Sequence, residues 1–244
     1  MSDRADEVPS LLMPNVTAVP ASSTLKGDTQ IEEPGRLAGA IARRAAEIRA
    51  TVPDLELAID VNAAPALALA RAGGHSLTAI LVRAAATALR ELPWANAAYR
   101  DGHFERYSRV NVGVVVTTED GLLIPAVLDA DTKSLSELTG EIETLAARAC
   151  RGELTPPEQA GTTFTLSDFT GLAAHRITPM ITAPQAAALT AGAVRRAPVV
   201  ADNDAVVAGD VMTLTLACDH RILFGERAER LLGRIAELVR EPAP

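Results

Sequence analysis

The chain has 244 residues, of which 48% are hydrophobic and 22% charged, a balance that excludes a disordered protein and fits one α/β unit with a sizeable core. A net charge of −8 excludes nucleic acid or an anionic membrane surface as a partner, because phosphate binding needs a basic face. No apolar run approaches a membrane span and no signal segment opens the chain, so the reading is a cytoplasmic protein.

Residues 1–33 mix Ser, Asp, Pro and Thr without periodicity and read as a flexible N-terminal arm, with the folded domain spanning 34–244. Leu37, Ile41, Ala45 and Ile48 form a helical stripe that ends before Pro53. Leu55–Val61 suits a strand, and Asn62 is placed to cap a short helix over Ala63–Ala72 that stops at Gly73-Gly74. Ser76–Leu92 is a strong helix with Leu77, Ile80, Leu81, Ala84 and Ala88 on one face. Asp101-Gly102-His103 reads as a turn. Val110–Thr118 and Leu122–Leu128 are β-rich runs about a turn at Glu119-Asp120-Gly121. Ser134-Leu135-Ser136-Glu137 is a capping box opening a helix to about Arg151, closed by Gly152. Strands follow at Thr163–Ser167, near Ala187–Val194 and at Val211–Cys218, separated by a loop and a turn at Ala183-Pro184-Gln185. A final helix carries Ala228, Leu231, Leu232, Ile235 and Val239 and ends by Pro242. Helices and strands are interspersed without strict alternation, which predicts a mixed sheet flanked by helices.

Two sites carry candidate chemistry. His220 follows an apolar strand in Asp219-His220-Arg221, and an imidazole has the free pKa for a base at neutral pH. About fifty residues earlier, Thr163, Thr165 and Ser167 project to one face of a strand and Phe164 and Leu166 to the other. No Gly-x-Ser-x-Gly elbow surrounds Ser167, so a hydrolase nucleophile is not implied. Asp129, Asp131, Glu141 and Glu143 read as solvated carboxylates without His or Cys at metal spacing, so no metal is expected. Cys150 and Cys218 read as small, reduced core residues. His175-Arg176 reads as a solvated pair or a recognition element.

These segments resemble, in order, the catalytic domain of the E2 acyltransferases of 2-oxo acid dehydrogenase complexes, whose fold is shared with chloramphenicol acetyltransferase. The likeness runs through Ile41-Ala42-Arg43-Arg44, Leu92-Pro93-Trp94-Ala95-Asn96, Val110–Val114 and Asp120–Val127. It continues in Ala130–Leu135, Gly152–Pro156, Gly161–Ser167, Thr178–Gln185 and Asp219-His220-Arg221. The resemblance implies an α/β, chloramphenicol acetyltransferase-like fold and acetyl-CoA as acyl donor. His220 would be the general base and Ser167 the hydrogen-bond donor to the tetrahedral oxyanion. It also implies a homotrimer with active sites at subunit interfaces. Asp219 and Arg221 read as structural, and no residue is assigned to CoA binding.

Three departures shape the expected function. The family motif ends Asp-His-Arg-x-x-Asp-Gly, and here Phe224 stands in place of the second Asp. No lipoyl or subunit-binding domain is expected with this catalytic domain, and so no covalently bound lipoate. The C-terminus lacks the apolar tail that ties trimers into larger cores. The expectation is therefore O-acetylation of a small-molecule or carrier-bound hydroxyl in a natural-product pathway such as tetronate assembly. The alternatives are a dihydrolipoamide acyltransferase core working with a separate lipoyl protein, or an inactive E2-like scaffold trimer.

Overall fold

A computed structural model describes residues 27, 29–119, 121–200 and 203–243. Most of the arm expected over 1–33, and Asp120 of the expected turn, lie outside the described residues. The elements in chain order are α1 (Arg36–Thr51), β1 (Asp54–Asn62), α2 (Ala64–Gly73), α3 (Leu77–Glu91), β2 (Ala97–Arg100) and β3 (His103–Arg106). Then come β4 (Val112–Val114), β5 (Val116–Thr118), β6 (Gly121–Leu123), β7 (Ala126–Val127), a 3-10 turn (Ala130–Thr132), α4 (Leu135–Cys150) and α5 (Pro156–Ala160). The chain closes with β8 (Phe164–Asp168), β9 (Ala187–Ala191), β10 (Arg195–Val200), β11 (Val206–Asp219) and α6 (Gly225–Arg240).

Local chemistry explains most boundaries. The Ser76 side chain accepts from Ala79 N at the start of α3, and Ser134 with Glu137 closes the capping box of α4. Asn62 Oδ1 accepts from Ala64 N at 3.0 Å, and Gly74 ends α2 in the left-handed region at φ 65°. The β-rich run over 110–118 splits in two. β4 enters the main sheet, whereas β5 turns away and pairs only with β6.

The main sheet runs β1-β11-β9-β8-β4-β7, with β10 also paired to β11. β4, β8 and β9 are mutually parallel, and the other pairings are antiparallel. The sheet is therefore mixed, as the interspersed elements predict. One face is apolar. Leu55, Leu57, Ile59 and Val61 of β1, Phe164 and Leu166 of β8, Leu189 of β9 and Met212, Leu214, Leu216 and Cys218 of β11 meet α2, α3, α4 and α6 in one core. The opposite face carries Glu56, Asp60, Thr165, Ser167, Thr190, Thr213 and Thr215, because side chains alternate along each strand. Its apolar cover among the described residues is a small cluster of Ile48, Val52, Ile181 and Ala217.

Two residues differ from expectation. Cys218 is buried, and burial pushes its thiol up to about 12, but Cys150 is exposed. Leu145 and Ala149 take the inward positions at the end of α4 and leave Cys150 turned outward. Asp131 is no solvated carboxylate either. Its side chain is 7% exposed and ion-paired to Arg90 at 2.6 Å.

Candidate active site

Ser167 is buried on β8, level with Thr190 of β9, and its hydroxyl has no hydrogen-bond partner among the described residues. The next residue, Asp168, ties this strand end to α3: Thr78 Oγ1 donates to Asp168 Oδ2 at 2.5 Å. Two residues before Ser167, Thr165 Oγ1 donates to Gln185 Oε1 at 2.8 Å. Gln185 lines a cleft of about 560 Å³ together with Arg44, Leu122, Ile124, Thr162 and Thr182. The hydroxyl face of β8 thus adjoins a space of ligand size.

His220 leaves the end of β11 with its N–H donating to Pro53 O at 2.8 Å and its side chain exposed. The ring has no hydrogen-bond partner among the described residues. Its neighbours hold the loop. Asp219 is 2% exposed and accepts from Arg221 Nε at 2.9 Å, from Arg221 Nη2 at 2.6 Å and from the Arg221 backbone N–H at 3.0 Å. The hydrogen bond to Asp219 raises the Arg221 pKa above its ordinary value. That guanidinium lies 4.5 Å from the Tyr99 ring centroid, which fixes the turn from the other side. Asp219 and Arg221 are thus structural, as read from the sequence.

Phe224 caps α6 without a side-chain hydrogen bond and remains 50% exposed. The Arg227 guanidinium sits 5.0 Å from its ring centroid and 5.6 Å from that of Trp94. Phe224 therefore joins a cation–π stack and is not packed into the core.

Register keeps the two candidate residues apart within one chain. Asp219 N donates to Ala186 O, at the start of β9, whereas Ser167 pairs with Thr190 near its end. Four residues along the strand and two strand spacings across it separate Ser167 from Asp219 by about 16 Å between Cα atoms. His220 lies one residue further on. A reaction using both groups needs them from different chains.

Sequence reasoning missed two buried hydroxyls on this face. Thr190 Oγ1 and Thr215 Oγ1 are buried and lack a hydrogen-bond partner among the described residues. Each unmade bond of this kind costs about 1–3 kcal/mol. Thr190 pairs with both Ser167 and Thr215, so three hydroxyl residues lie side by side across three strands. The segment after β8 covers them. Ala193 N donates to Ala174 O, and a Cβ on Gly192 would lie 2.0 Å from His175 O, so only glycine admits this crossing. Glu56 clamps the far end, accepting from Thr178 Oγ1 at 2.7 Å and from Arg176 Nη2 at 2.6 Å. The Thr178 hydroxyl first, and then Arg176, hold the Glu56 carboxyl below its ordinary value. Arg176 is thus a strap residue, while His175 is exposed. Among the described residues, no group of three or more His, Cys, Asp or Glu could hold a metal ion, and no helix is long and apolar enough to cross a membrane.

The family described as 2-oxoacid dehydrogenases acyltransferase (catalytic domain) matches residues 28–244. The dihydrolipoyllysine-residue acetyltransferase component of the pyruvate dehydrogenase complex of Zymomonas mobilis is 32% identical over 250 residues, covering 99% of this chain and 56% of that protein. The chain spans about half the length of the curated relatives it matches. Two solved structures superpose with a TM-score of 0.83 at 27% identity, covering 91% of this chain and 96% of the other. One is a dihydrolipoamide acetyltransferase of Azotobacter vinelandii, studied for the role of a serine, a histidine and an asparagine in its catalytic mechanism. That asparagine lies four residues after the histidine, the spacing of Phe224 from His220 here. The other is the cubic core of a pyruvate dehydrogenase multienzyme complex. Chloramphenicol acetyltransferase shares the fold, with a TM-score of 0.55 at 17% identity over 82% of this chain and 92% of its own.

Proposed function

Because the chain belongs to the 2-oxoacid dehydrogenase acyltransferase family, as its catalytic domain, we propose that it transfers an acetyl group between CoA and a dihydrolipoyl thiol. His220 takes the proton of the attacking thiol. The thiolate adds to the thioester carbonyl of acetyl-CoA, and the oxyanion that forms accepts a hydrogen bond from the Ser167 hydroxyl. Collapse breaks the bond to CoA sulfur, and the leaving thiolate takes the proton back from His220. The observation that carries this reading is the placement of an unpartnered Ser167 hydroxyl and an exposed, unpartnered His220 ring at two strand ends of a chain in this family. O-acetylation of a natural-product hydroxyl gives way to the dihydrolipoyl acceptor. Relatives matching over nearly the whole chain are dihydrolipoyllysine-residue acetyltransferases, and none of them speaks for a hydroxyl acceptor.

The separation of about 16 Å within one chain supports a homotrimer whose sites form between subunits. Mixing His220→Ala and Ser167→Ala chains tests it: two inactive variants should regain a fraction of wild-type turnover once their subunits exchange. A mixture that stays inactive after exchange overturns the shared site.

The function is tested by CoA release from acetyl-CoA with dihydrolipoamide, beside a panel of small alcohols. Turnover on dihydrolipoamide and none on the alcohols is expected. Phe224 supports a second reading, an inactive scaffold, because it cannot make the polar contacts of an Asp or Asn. If wild type is inert and Phe224→Asp acquires dihydrolipoamide acetylation, the chain is a decayed E2 domain and the scaffold reading replaces this one.

A further inference from the structure

Thr190 and Thr215 are each buried with an unpartnered hydroxyl, on a sheet whose other polar side chains are largely tied up. Both lie on the face of Ser167. In β8 and β9 Ser167 faces Thr190, and in β9 and β11 Thr190 faces Thr215. Neighbouring strands lie about 4.8 Å apart in both the parallel β8–β9 pair and the antiparallel β9–β11 pair, which leaves the facing side chains within reach of a hydroxyl–hydroxyl bond after a change of rotamer. We propose that Thr215, Thr190 and Ser167 form a hydroxyl relay, in which Thr190 is a positioning residue that orients the Ser167 proton toward the oxyanion. The proposal rests on Ser167 being the oxyanion donor.

The direction of the relay follows from its two ends. A hydroxyl offers one proton and two acceptor lone pairs. Thr215 Oγ1 has no partner among the described residues, and of its two cross-strand neighbours, Ala58 and Thr190, only Thr190 carries a side-chain acceptor, so in the relay its proton turns to Thr190 Oγ1. Thr190 then donates to Ser167 Oγ, and the Ser167 proton is left for the open end of the row. Ser167 lies at that end: it is 8% exposed, whereas Thr190 and Thr215 are fully buried. Each bond polarises the next, which makes the last hydroxyl a stronger donor. Charge appears on the substrate oxygen only in the transition state, so the relay acts on kcat and leaves the binding of acetyl-CoA unchanged.

The test is a double-mutant cycle on the intact protein, read as kcat and KM with acetyl-CoA and dihydrolipoamide. Thr190→Val keeps shape and removes the hydroxyl. It should lower kcat about 10-fold with the KM for acetyl-CoA unchanged, while Thr190→Ser restores kcat to within about twofold of wild type. Thr215→Val should lower kcat less, about threefold. In a Ser167→Ala background Thr190→Val should cost nothing further, since the proton it orients is gone. Full additivity of the two losses, or a kcat for Thr190→Val equal to wild type beside an impaired Ser167→Ala, overturns the relay and leaves Ser167 its role. A fully active Ser167→Ala overturns the role of Ser167 and the relay with it. If Thr190→Val does not fold, the Thr190→Ser and Thr215→Val arms decide by the same kcat readout.

Discussion

The two faces of the central sheet are built from the same strands and do opposite work. On one, Phe164, Leu166, Leu189, Leu214 and Leu216 pack against helices with almost no exposed surface. On the other, Thr165, Ser167, Thr190, Thr213 and Thr215 lie under a strap of chain held by Glu56. Strand alternation lets a single residue step separate the core from the candidate site: Phe164 is core, Thr165 faces the strap, Leu166 is core and Ser167 is the proposed oxyanion donor. The polar face tolerates unmade hydrogen bonds that a fold selected for stability alone would remove. Substitutions on the two faces should therefore separate cleanly in what they change.

The largest effect is expected at His220. His220→Ala should lower kcat about 100- to 10,000-fold with the melting temperature unchanged, because the ring is exposed and has no hydrogen-bond partner among the described residues. A loss of only a few-fold would end its assignment as base. Ser167→Ala should cost about 100- to 1,000-fold in kcat, with acetyl-CoA affinity preserved. A weaker affinity at constant kcat would make Ser167 a binding residue.

Three residues back along the same strand, on its other face, the response should invert. Phe164 is 1% exposed, so Phe164→Ala should destabilise the fold by about 3–5 kcal/mol. The melting temperature should fall by roughly 10 °C. Near-wild-type kcat well below the melting temperature would sharpen the contrast, and an unchanged melting temperature would break it.

The smallest effect belongs to the strap. Glu56 has its carboxyl pKa lowered by Thr178 and then Arg176, so its contribution is complete above its unfolded value near 4.5 and is lost as pH falls through the lower folded value. Glu56→Gln should cost about 0.2–1 kcal/mol at pH 7, since the pair is partly exposed. The gap in melting temperature between wild type and variant should close as pH drops below about 4. A gap that does not vary with pH would remove Glu56 from the clamp.

Legibility in the sequence followed the range of the forces involved. The capping box at Ser134, the N-cap at Ser76 and the left-handed Gly74 are local devices, and each was readable within a few residues. The mixed sheet followed from the order of elements, and the candidate site from an ordered resemblance ending in Asp219-His220-Arg221. What escaped depends on distant partners. β10 runs Arg195–Val200 with a proline inside, which gives no strand signal until β11 lies beside it. The β2–β3 hairpin was visible only as its turn at Asp101-Gly102. The burial of Asp131 depends on Arg90, forty-one residues away. Thr190 and Thr215 looked like ordinary strand threonines, and only pairing sets them beside Ser167.

β11 is the longest strand, it pairs with β1, β9 and β10, and it ends in the turn that bears His220. It is also among the last elements made. β1 waits from residue 54 for partners that begin at residue 211. During synthesis the helices can form as they emerge, but the sheet stays open at its middle until nearly the whole chain has left the ribosome. A nascent chain therefore carries an unpaired β1 edge for most of its translation, joined late by that of β9, the state in which strands from neighbouring chains find each other. The protein's exposure to aggregation is thus set by the order in which its strands are written, and it ends when β11 slots between them.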